Sequence, residues 1–408
     1  MAAVGVKPIS SSEKQTNNFR DNGRCYFKNL DLLKYGITRL ADHTGLDEIG
    51  IPVCAVIRPD ARSVSQCHGK GLTHDQAQIS AVMEGIETAL AETAEHRVEM
   101  IASANEMLRA RRPIADFALM LKCVDGDPDQ ARKWRWIKGK GVASGIERFA
   151  PLGLVSLDLR HDQQTDLAFF HQNSVGLAAH FKREDAILHG LLEAVEYDAL
   201  ALAMAWPGIL EACPQLDGVF GVSEALDLAI AKCRAVQLDP TFQVLTTDIG
   251  LPVILCRLRE MTAGLAPRRS KPFAGHACRL SMVDAAIAAL LEAVQSRMTD
   301  ISGAREDINV GDYAVTDAPP STLRKVNSTP LVHSADRLTP PESIALVLKQ
   351  LASSGLSEPL VFDLHNEGDP VFCVAVHCPG LEIGTAQDGY RSGRRAELRI
   401  IKHGLAIL

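Results

Sequence analysis

The sequence predicts an α+β fold, on three observations. Short runs rich in Val, Ile, Trp and Phe, bounded by Gly and Pro, alternate with helix-length segments. Three of those segments are apolar over most of their circumference, which suits buried helices. With 46% hydrophobic content over 408 residues, the chain can fill a large core in one big domain or two.

The elements follow in order. A short helix at 30–35 leads into a strand at 36–41, a second at 51–57 with Pro52 at its start, and a third at 63–67. Thr73 with Gln76 makes a capping box that opens a helix running to about Thr93. Strands are expected at 134–137 and 152–157, separated by a Gly-rich segment at 138–145. A long helix starts near Arg183 and passes Ala203, strands cover 242–247 and 252–257, and a further helix covers 283–298. The Pro- and Ser-rich stretch 317–341 reads as loop. Thr339 before Pro340, Pro341 and Glu342 caps a helix to about Leu351, and strands at 360–364 and 371–376 flank Asn366-Glu367-Gly368-Asp369.

Composition excludes several classes. The net charge of -7, from 43 basic and 50 acidic residues, gives no electrostatic case for nucleic acid. No segment offers the run of about 18 apolar residues that a membrane span needs, and the polar start lacks a signal peptide, so a cytoplasmic protein is expected. The ten cysteines are scattered without a C-x-x-C pair and read as buried small hydrophobes of a reducing compartment. His276 with Cys278, and Cys67 with His68, are too few for a metal cluster and read as packing. The basic clusters Arg109/Arg111/Arg112, Arg268/Arg269/Lys271 and Arg391/Arg394/Arg395 read as solvated patches.

One acidic helix signature occurs three times: Met83-Glu84-Gly85-Ile86-Glu87, Leu192-Glu193-Ala194-Val195-Glu196 and Leu291-Glu292-Ala293-Val294-Gln295. Spacing of three puts both polar side chains of each copy on one helix face. Any single copy is ordinary wording for an amphipathic surface helix. Repetition within apolar surroundings favours burial instead, and a buried unpaired carboxylate costs several kcal/mol unless a cation or hydrogen bonds satisfy it. Mg2+ is the economical partner. The chain lacks a P-loop and a G-x-G-x-x-G after a strand, and Ser144 is misplaced for a nucleophile elbow. Carboxylates with Lys70, Arg297 and Arg305 suit a magnesium nucleotide, the carboxylates holding metal and the cations neutralising phosphate.

Several segments together resemble the YcaO family. They are Gly36-Ile37-Thr38-Arg39, Thr44-Gly45-Leu46-Asp47, Gly50-Ile51-Pro52-Val53, Arg58-Pro59, Gly69-Lys70-Gly71, Ala186 through Glu193, and Glu292 through Arg297 with Gly303 to Asp307. The similarity runs from about residue 20 to about 395 and is strongest to the TfuA-associated branch. Residues 1–19, rich in Ser, Lys, Gln and Asn, read as disordered; the resemblance implies a YcaO domain at 20–395 with mixed sheets and long helices lining a nucleotide site, followed by a C-terminal tail at 396–408.

The resemblance also implies ATP- and Mg2+-dependent phosphorylation of a peptide backbone amide. The product is an azoline when a neighbouring Cys, Ser or Thr attacks, or a thioamide when a sulfide equivalent does. The residues it implies at the ATP and magnesium site are Lys70, Ser80, Glu84, Glu87, Asp185, Glu193, Glu196, Glu292, Gln295, Arg297 and Arg305, with Glu87, Asp185 and Glu196 on the metal. A precursor peptide, a TfuA-like or other protein for peptide recognition or sulfur delivery, and a homodimer are the expected partners.

Departures from the family pattern cluster around the second helix. Phe181 stands where Asn is usual, Asp185 where Glu is usual, and Tyr197 where Arg is usual. They motivate an alternative in which the chain is an ATP-site-degenerate scaffold or substrate-binding subunit. The ending, Ile400 to Leu408, is not the Pro-rich tail frequent in azoline-forming members, which favours the thioamide outcome. An unrelated carboxylate-magnesium ligase would instead release AMP and pyrophosphate.

Overall fold

The computed structural model describes residue 27 and residues 30–116, 131–160, 169–261, 273–305, 328–331, 338–384 and 390–407. The segment 1–19, most of the stretch 317–341, the cluster Arg268/Arg269/Lys271, and Cys25 and Cys123 lie outside these described residues. The other eight cysteines are all buried with free thiols, as their apolar settings predict.

Strands β1 (Arg39–Asp42), β2 (Val53–Ile57) and β3 (Gln66–Lys70) form an antiparallel sheet in that order, and α1 (His74–Glu92) follows and packs on it. The capping box is present: Gln76 N–H donates to Thr73 Oγ1 at 3.2 Å, and Thr73 N–H donates to Gln76 Oε1 at 3.3 Å. Next come β4 (Val98–Ser103), α2 (Ala104–Arg109), β5 (Lys133–Gly141), β6 (Glu147–Pro151), β7 (Leu177–His180) and α3 (Arg183–Met204). The chain continues through β8 (Gln215–Asp217), α4 (Glu224–Ala235), β9 (Leu238–Val244), β10 (Val253–Glu260), β11 (Phe273–Cys278), α5 (Met282–Ser302) and β12 (Ser328–Pro330). It closes with α6 (Pro340–Ser353), β13 (Leu360–Asp363), β14 (Phe372–His377) and α7 (Arg394–Ile407).

Two larger sheets complete the mixed fold. One has the order β11-β10-β9-β8-β12 with α4 and α5 against it; the other has the order β4-β5-β13-β14-β7, with β6 paired to β5 and α3 against β7 and β14. Helix α3 is packed between them, touching β11 of one and β7 and β14 of the other, and its Leu191, Val195 and Ala199 share one buried cluster with Val253, Leu255, Val374 and Val376. That central position explains its apolar circumference.

Each acid-bearing helix meets its supporting strands at a glycine. A Cβ at Gly69 of β3 would lie 2.0 Å from the Ala81 nitrogen and 2.4 Å from the Ala77 oxygen of α1. A Cβ at Gly275 of β11 would lie 2.2 Å from the Ala293 nitrogen of α5, and one at Gly190 of α3 would lie 2.6 Å from the Gly176 oxygen before β7. Backbone therefore touches backbone at three places, a separation only glycine permits.

Several expectations need correction. The run 152–157 is not a strand; Leu152–Leu154 is a 3-10 turn, and the strand is β6 just before it. The run is apolar because it is buried, and burial alone does not distinguish an extended segment from a turn. The Gly-rich segment 138–145 is not a separator throughout, since β5 continues to Gly141; Gly139 lies under the Phe362 ring, where a Cβ would come within 2.5 Å of it. The third strand is β3 at 66–70, later than expected. Most of 396–408 lies in the helix α7, anchored by Arg395, whose guanidinium donates to both oxygens of buried Asp198 at 2.9 Å and to Asp248 at 2.7 and 3.1 Å. Arg395 is thus a structural bridge, not part of a solvated patch.

The glycine contacts give a direct test. Gly69→Ala and Gly275→Ala should each destabilise the chain by about 3 kcal/mol or more in urea unfolding, because the obstacle is helix backbone that cannot move aside. Gly45→Ala, where a Cβ meets nothing within 4 Å, should stay within about 1 kcal/mol of the parent.

Candidate functional site

Helices α1, α3 and α5 bring five carboxylates to one recess: Glu84 and Glu87, Glu193 and Glu196, and Glu292. Glu196 is only 7% exposed. The other four keep some open surface while protein surrounds them in depth, so that surface belongs to the recess and not to an outer face.

Backbone donors and two cations hold the carboxylates. Ala179 N–H donates to Glu87 Oε1 at 2.6 Å, and Gly176 N–H donates to Glu193 Oε2 at 3.0 Å, so the lead-in and body of β7 tie α1 and α3 together. Cys278 N–H donates to Glu196 Oε2 at 2.8 Å, and His276 Nδ1 donates to Glu196 Oε1 at 2.7 Å. His276 Nε2 lies 3.8 Å from Glu292 Oε1, and Lys70 Nζ lies 3.4 Å from Glu292 Oε2. Tyr197 sets its ring edge-on to His276, with centroids 5.4 Å apart and an interplanar angle of 85°.

The electrostatics follow from crowding. Burial pushes Glu84 up to about 7, against the pull of Lys70 and Arg305. Burial and then the Glu196 charge push Glu193 up to about 8, and burial holds Glu87 well above the usual carboxylate range despite the Ala179 N–H. For Glu292 burial also opposes the charge, but Lys70 and His276 outweigh it and hold the carboxyl below its usual range. His276 reverses the histidine habit: burial disfavours its charge, yet the Glu196 hydrogen bond and the Glu292 charge push it up to about 9. His189, one turn before Glu193, is held far below the usual range by burial and by Arg279, Lys70 and His180.

These residues fit a divalent cation with a polyphosphate. The five carboxylates exceed the cations that act most strongly on them among the described residues, namely Lys70, His276 and Arg305. Hard oxygen donors in such surplus suit Mg2+. Gln295 donates Nε2–H to the His68 carbonyl at 3.2 Å, and its Oε1 is buried with no partner among the described residues, leaving an acceptor available to a bound group. Ser80 sits one turn before Glu84 on α1, partly exposed.

Not every expected residue joins the cluster. Arg297 forms a bidentate pair with Asp47, whose side chain is 6% exposed, at 2.8 and 3.3 Å, and lies over the Phe273 ring. Its guanidinium locks α5 to the segment before β2. Asp185 is in the first turn of α3, about 12 Å along the helix from Glu193, and its carboxylate meets His180 Nδ1 at 3.5 Å. Among the described residues, the potential metal ligands within 4.8 Å of one another are Glu196, His276 and Glu292, a set that leaves out Glu87 and Asp185.

His276 is the residue the sequence did not reveal, having read as packing. A signal was present. Gly275-His276 stands in the second strand of a hairpin that leads into an acid helix, as Gly69-Lys70 does in β3 before α1.

Comparison with known proteins identifies the family and the fold. The family model described as YcaO cyclodehydratase, ATP- and Mg2+-binding, matches residues 68–382. The chain is 31% identical over 382 residues to an uncharacterized protein in the tfuA 3′ region of Rhizobium leguminosarum bv. trifolii, covering 90% of this chain and 88% of that one. It is 30% identical over 376 residues to an uncharacterized protein of Methanothermobacter thermautotrophicus, covering 88% and 93%.

Among solved structures the fold is similar to YcaO from Methanopyrus kandleri bound with AMPPCP and Mg2+, with TM-score 0.61, 20% identity, and 86% and 87% of the two chains covered. It is also similar to the E. coli microcin synthetase McbBCD complex with pro-MccB17 bound, with TM-score 0.62, 13% identity, and 90% and 96% covered. A heterocyclase in complex with substrate and cofactor gives TM-score 0.66 at 18% identity over 85% of this chain, which spans 50% of that longer one.

The raised pKa values fix the sign of a pH effect. Glu84, Glu193 and His276 hold protons more tightly folded than unfolded, so their contribution to stability is present at low pH and lost as pH rises through about 7, 8 and 9. The ligand-free chain should therefore lose a few °C of Tm between pH 7 and 9, measured by differential scanning calorimetry. Glu193→Gln should reduce that dependence up to about pH 8, since the amide has no proton to lose, and leave the part carried by His276.

Proposed function

The chain belongs to the YcaO family, and on that premise we propose that it activates a backbone amide of a ribosomally made precursor peptide by ATP- and Mg2+-dependent phosphorylation. The observation that carries this reading is the convergence of the three acid helices on one recess with Lys70 and His276. ATP supplies the phosphoryl group that turns the amide oxygen into a good leaving group, after a nucleophile has added to the carbonyl carbon.

The chain's own residues bind and orient. Glu84, Glu87, Glu193, Glu196, Glu292 and Gln295 form the oxygen-rich wall that takes the metal side of the nucleotide. Lys70, with Arg305 near Glu84, offsets phosphate charge. The backbone ties from Ala179, Gly176 and Cys278 fix the carboxylates before any ligand arrives, so little reorganisation is left for the reaction. Arg297 contributes indirectly by holding α5 in place through Asp47.

The nucleophile decides between the two products. Relationship to the protein in the tfuA 3′ region favours an external sulfide equivalent and a thioamide, with a TfuA-like protein as the partner that delivers sulfur or presents the peptide. An internal Cys, Ser or Thr would give an azoline.

Full chain, partner, precursor peptide, ATP and Mg2+ should yield ADP and phosphate together with a peptide shifted by about +16 Da for oxygen-to-sulfur exchange, or about -18 Da for loss of water. The Glu193→Ala/Glu196→Ala double variant should lose at least about 100-fold in phosphate release. Turnover equal to that variant in the parent would leave the scaffold role in its place, and AMP with pyrophosphate would exclude amide phosphorylation.

A further inference from the structure

We propose that His276 Nε2 is a direct ligand of the divalent cation in this recess, shared with Glu292, and that this imidazole moves the site's preference from Mg2+ toward Mn2+. The proposal rests on the nucleotide and metal reading above.

The geometry around the ring supports it. Glu196 is fixed at both oxygens, by Cys278 N–H at 2.8 Å and by His276 Nδ1 at 2.7 Å. A carboxylate only accepts, so the bond places the Nδ1 proton on the ring and leaves Nε2 as the nitrogen free to ligate. Tyr197 packs edge-on against the ring and limits its rotation. Nε2 then faces Glu292 Oε1 across 3.8 Å, too far for a hydrogen bond. Cis ligands of an octahedral ion at about 2.2 Å sit about 3.1 Å apart, so the two atoms need to close by only about 0.7 Å for both to bind one ion.

A metal-bound histidine commonly donates its second ring N–H to a carboxylate, which orients the ring and raises its basicity. Glu196–His276 has that form, and it makes Glu196 a positioning residue for the imidazole. The other Glu292 oxygen is held by Lys70 at 3.4 Å, which aims Oε1 toward the ring. His276 and Glu292 keep 16% and 29% of their side-chain surface open, so an ion can enter. Ligation uses the Nε2 lone pair, and a proton carried there in the metal-free chain leaves to water. Imidazole is a better ligand for first-row transition divalents than for Mg2+, whereas carboxylates accept both Mg2+ and Mn2+, so a mixed set moves the balance toward Mn2+ relative to Mg2+.

Pulsed electron paramagnetic resonance of Mn2+ bound to the full chain tests this without turnover. Inorganic triphosphate, which contains no nitrogen, serves as the co-ligand, and a non-hydrolysable ATP analogue is titrated in parallel. Protein grown with 15N-histidine should convert a 14N coupling on Mn2+ into a 15N one. His276→Gln should abolish the coupling and weaken Mn2+ by about 10- to 100-fold, with a smaller change for Mg2+. Retained Mn2+ and analogue with no histidine coupling in the parent chain would overturn the proposal and leave the nucleotide reading intact. Failure of the parent chain to retain either would overturn both.

Discussion

Like charge confined in one recess is the constraint on which the rest of this structure depends. Two carboxylates about 4 Å apart repel by about 4 kcal/mol at an effective dielectric constant near 20, so five cannot all remain ionised without compensation. The chain compensates in three ways. Glu84, Glu87 and Glu193 retain protons more readily than usual, Glu292 is neutralised by Lys70 and His276, and the backbone N–H groups of Gly176, Ala179 and Cys278 donate to Glu193, Glu87 and Glu196. None of this would persist if the helices could drift apart. The backbone contacts at Gly69, Gly190 and Gly275 prevent drift, because each seats an acid helix directly on a strand or its lead-in.

Two of the three supports are built alike. Strands β2 and β3 lead into α1, and strands β10 and β11 lead into α5; in both, the second strand carries a glycine followed by a basic residue. The glycine lets the helix approach, and alternation along the strand turns the next side chain to the opposite face from its neighbours. Lys70 and His276 therefore reach the recess from corresponding positions, and both act on Glu292. They differ in what they can become. An ammonium remains a point charge, whereas an imidazole can exchange a proton for a metal.

The local parts of this design were legible in the sequence. Capping boxes at Thr73 and Thr339 placed α1 and α6, and three-residue spacing placed the acid pairs on single helix faces. What was hidden depends on contacts between distant segments. The Gly275-His276 pair before an acid helix marks the position, but the approach of Glu196 is set by α3, which lies 80 residues away in sequence. Arg297 looked like a phosphate ligand because it follows Gln295, yet two residues along a helix is a turn of about 200° to another face, where Asp47 waits. The family's pattern put Asp185 in the metal set; it stands two turns before Glu193, with its carboxylate 3.5 Å from His180 Nδ1. The strand expected at 152–157 failed for a simpler reason, since hydrophobicity reports burial before it reports conformation.

Tyr197 is the departure that most strongly suggested a disabled site, because it replaces a guanidinium with a phenol. Its surroundings change the meaning of that loss. The ring lies against His276, whose cationic form is held by Glu196 and Glu292, so positive charge is still present within the cluster. A phenol at 197 gives the imidazole an apolar edge to pack against, where a guanidinium would have repelled it. The two positions are coupled by contact, so the residue that replaces the guanidinium is packed into the same cluster that Glu196 and His276 form.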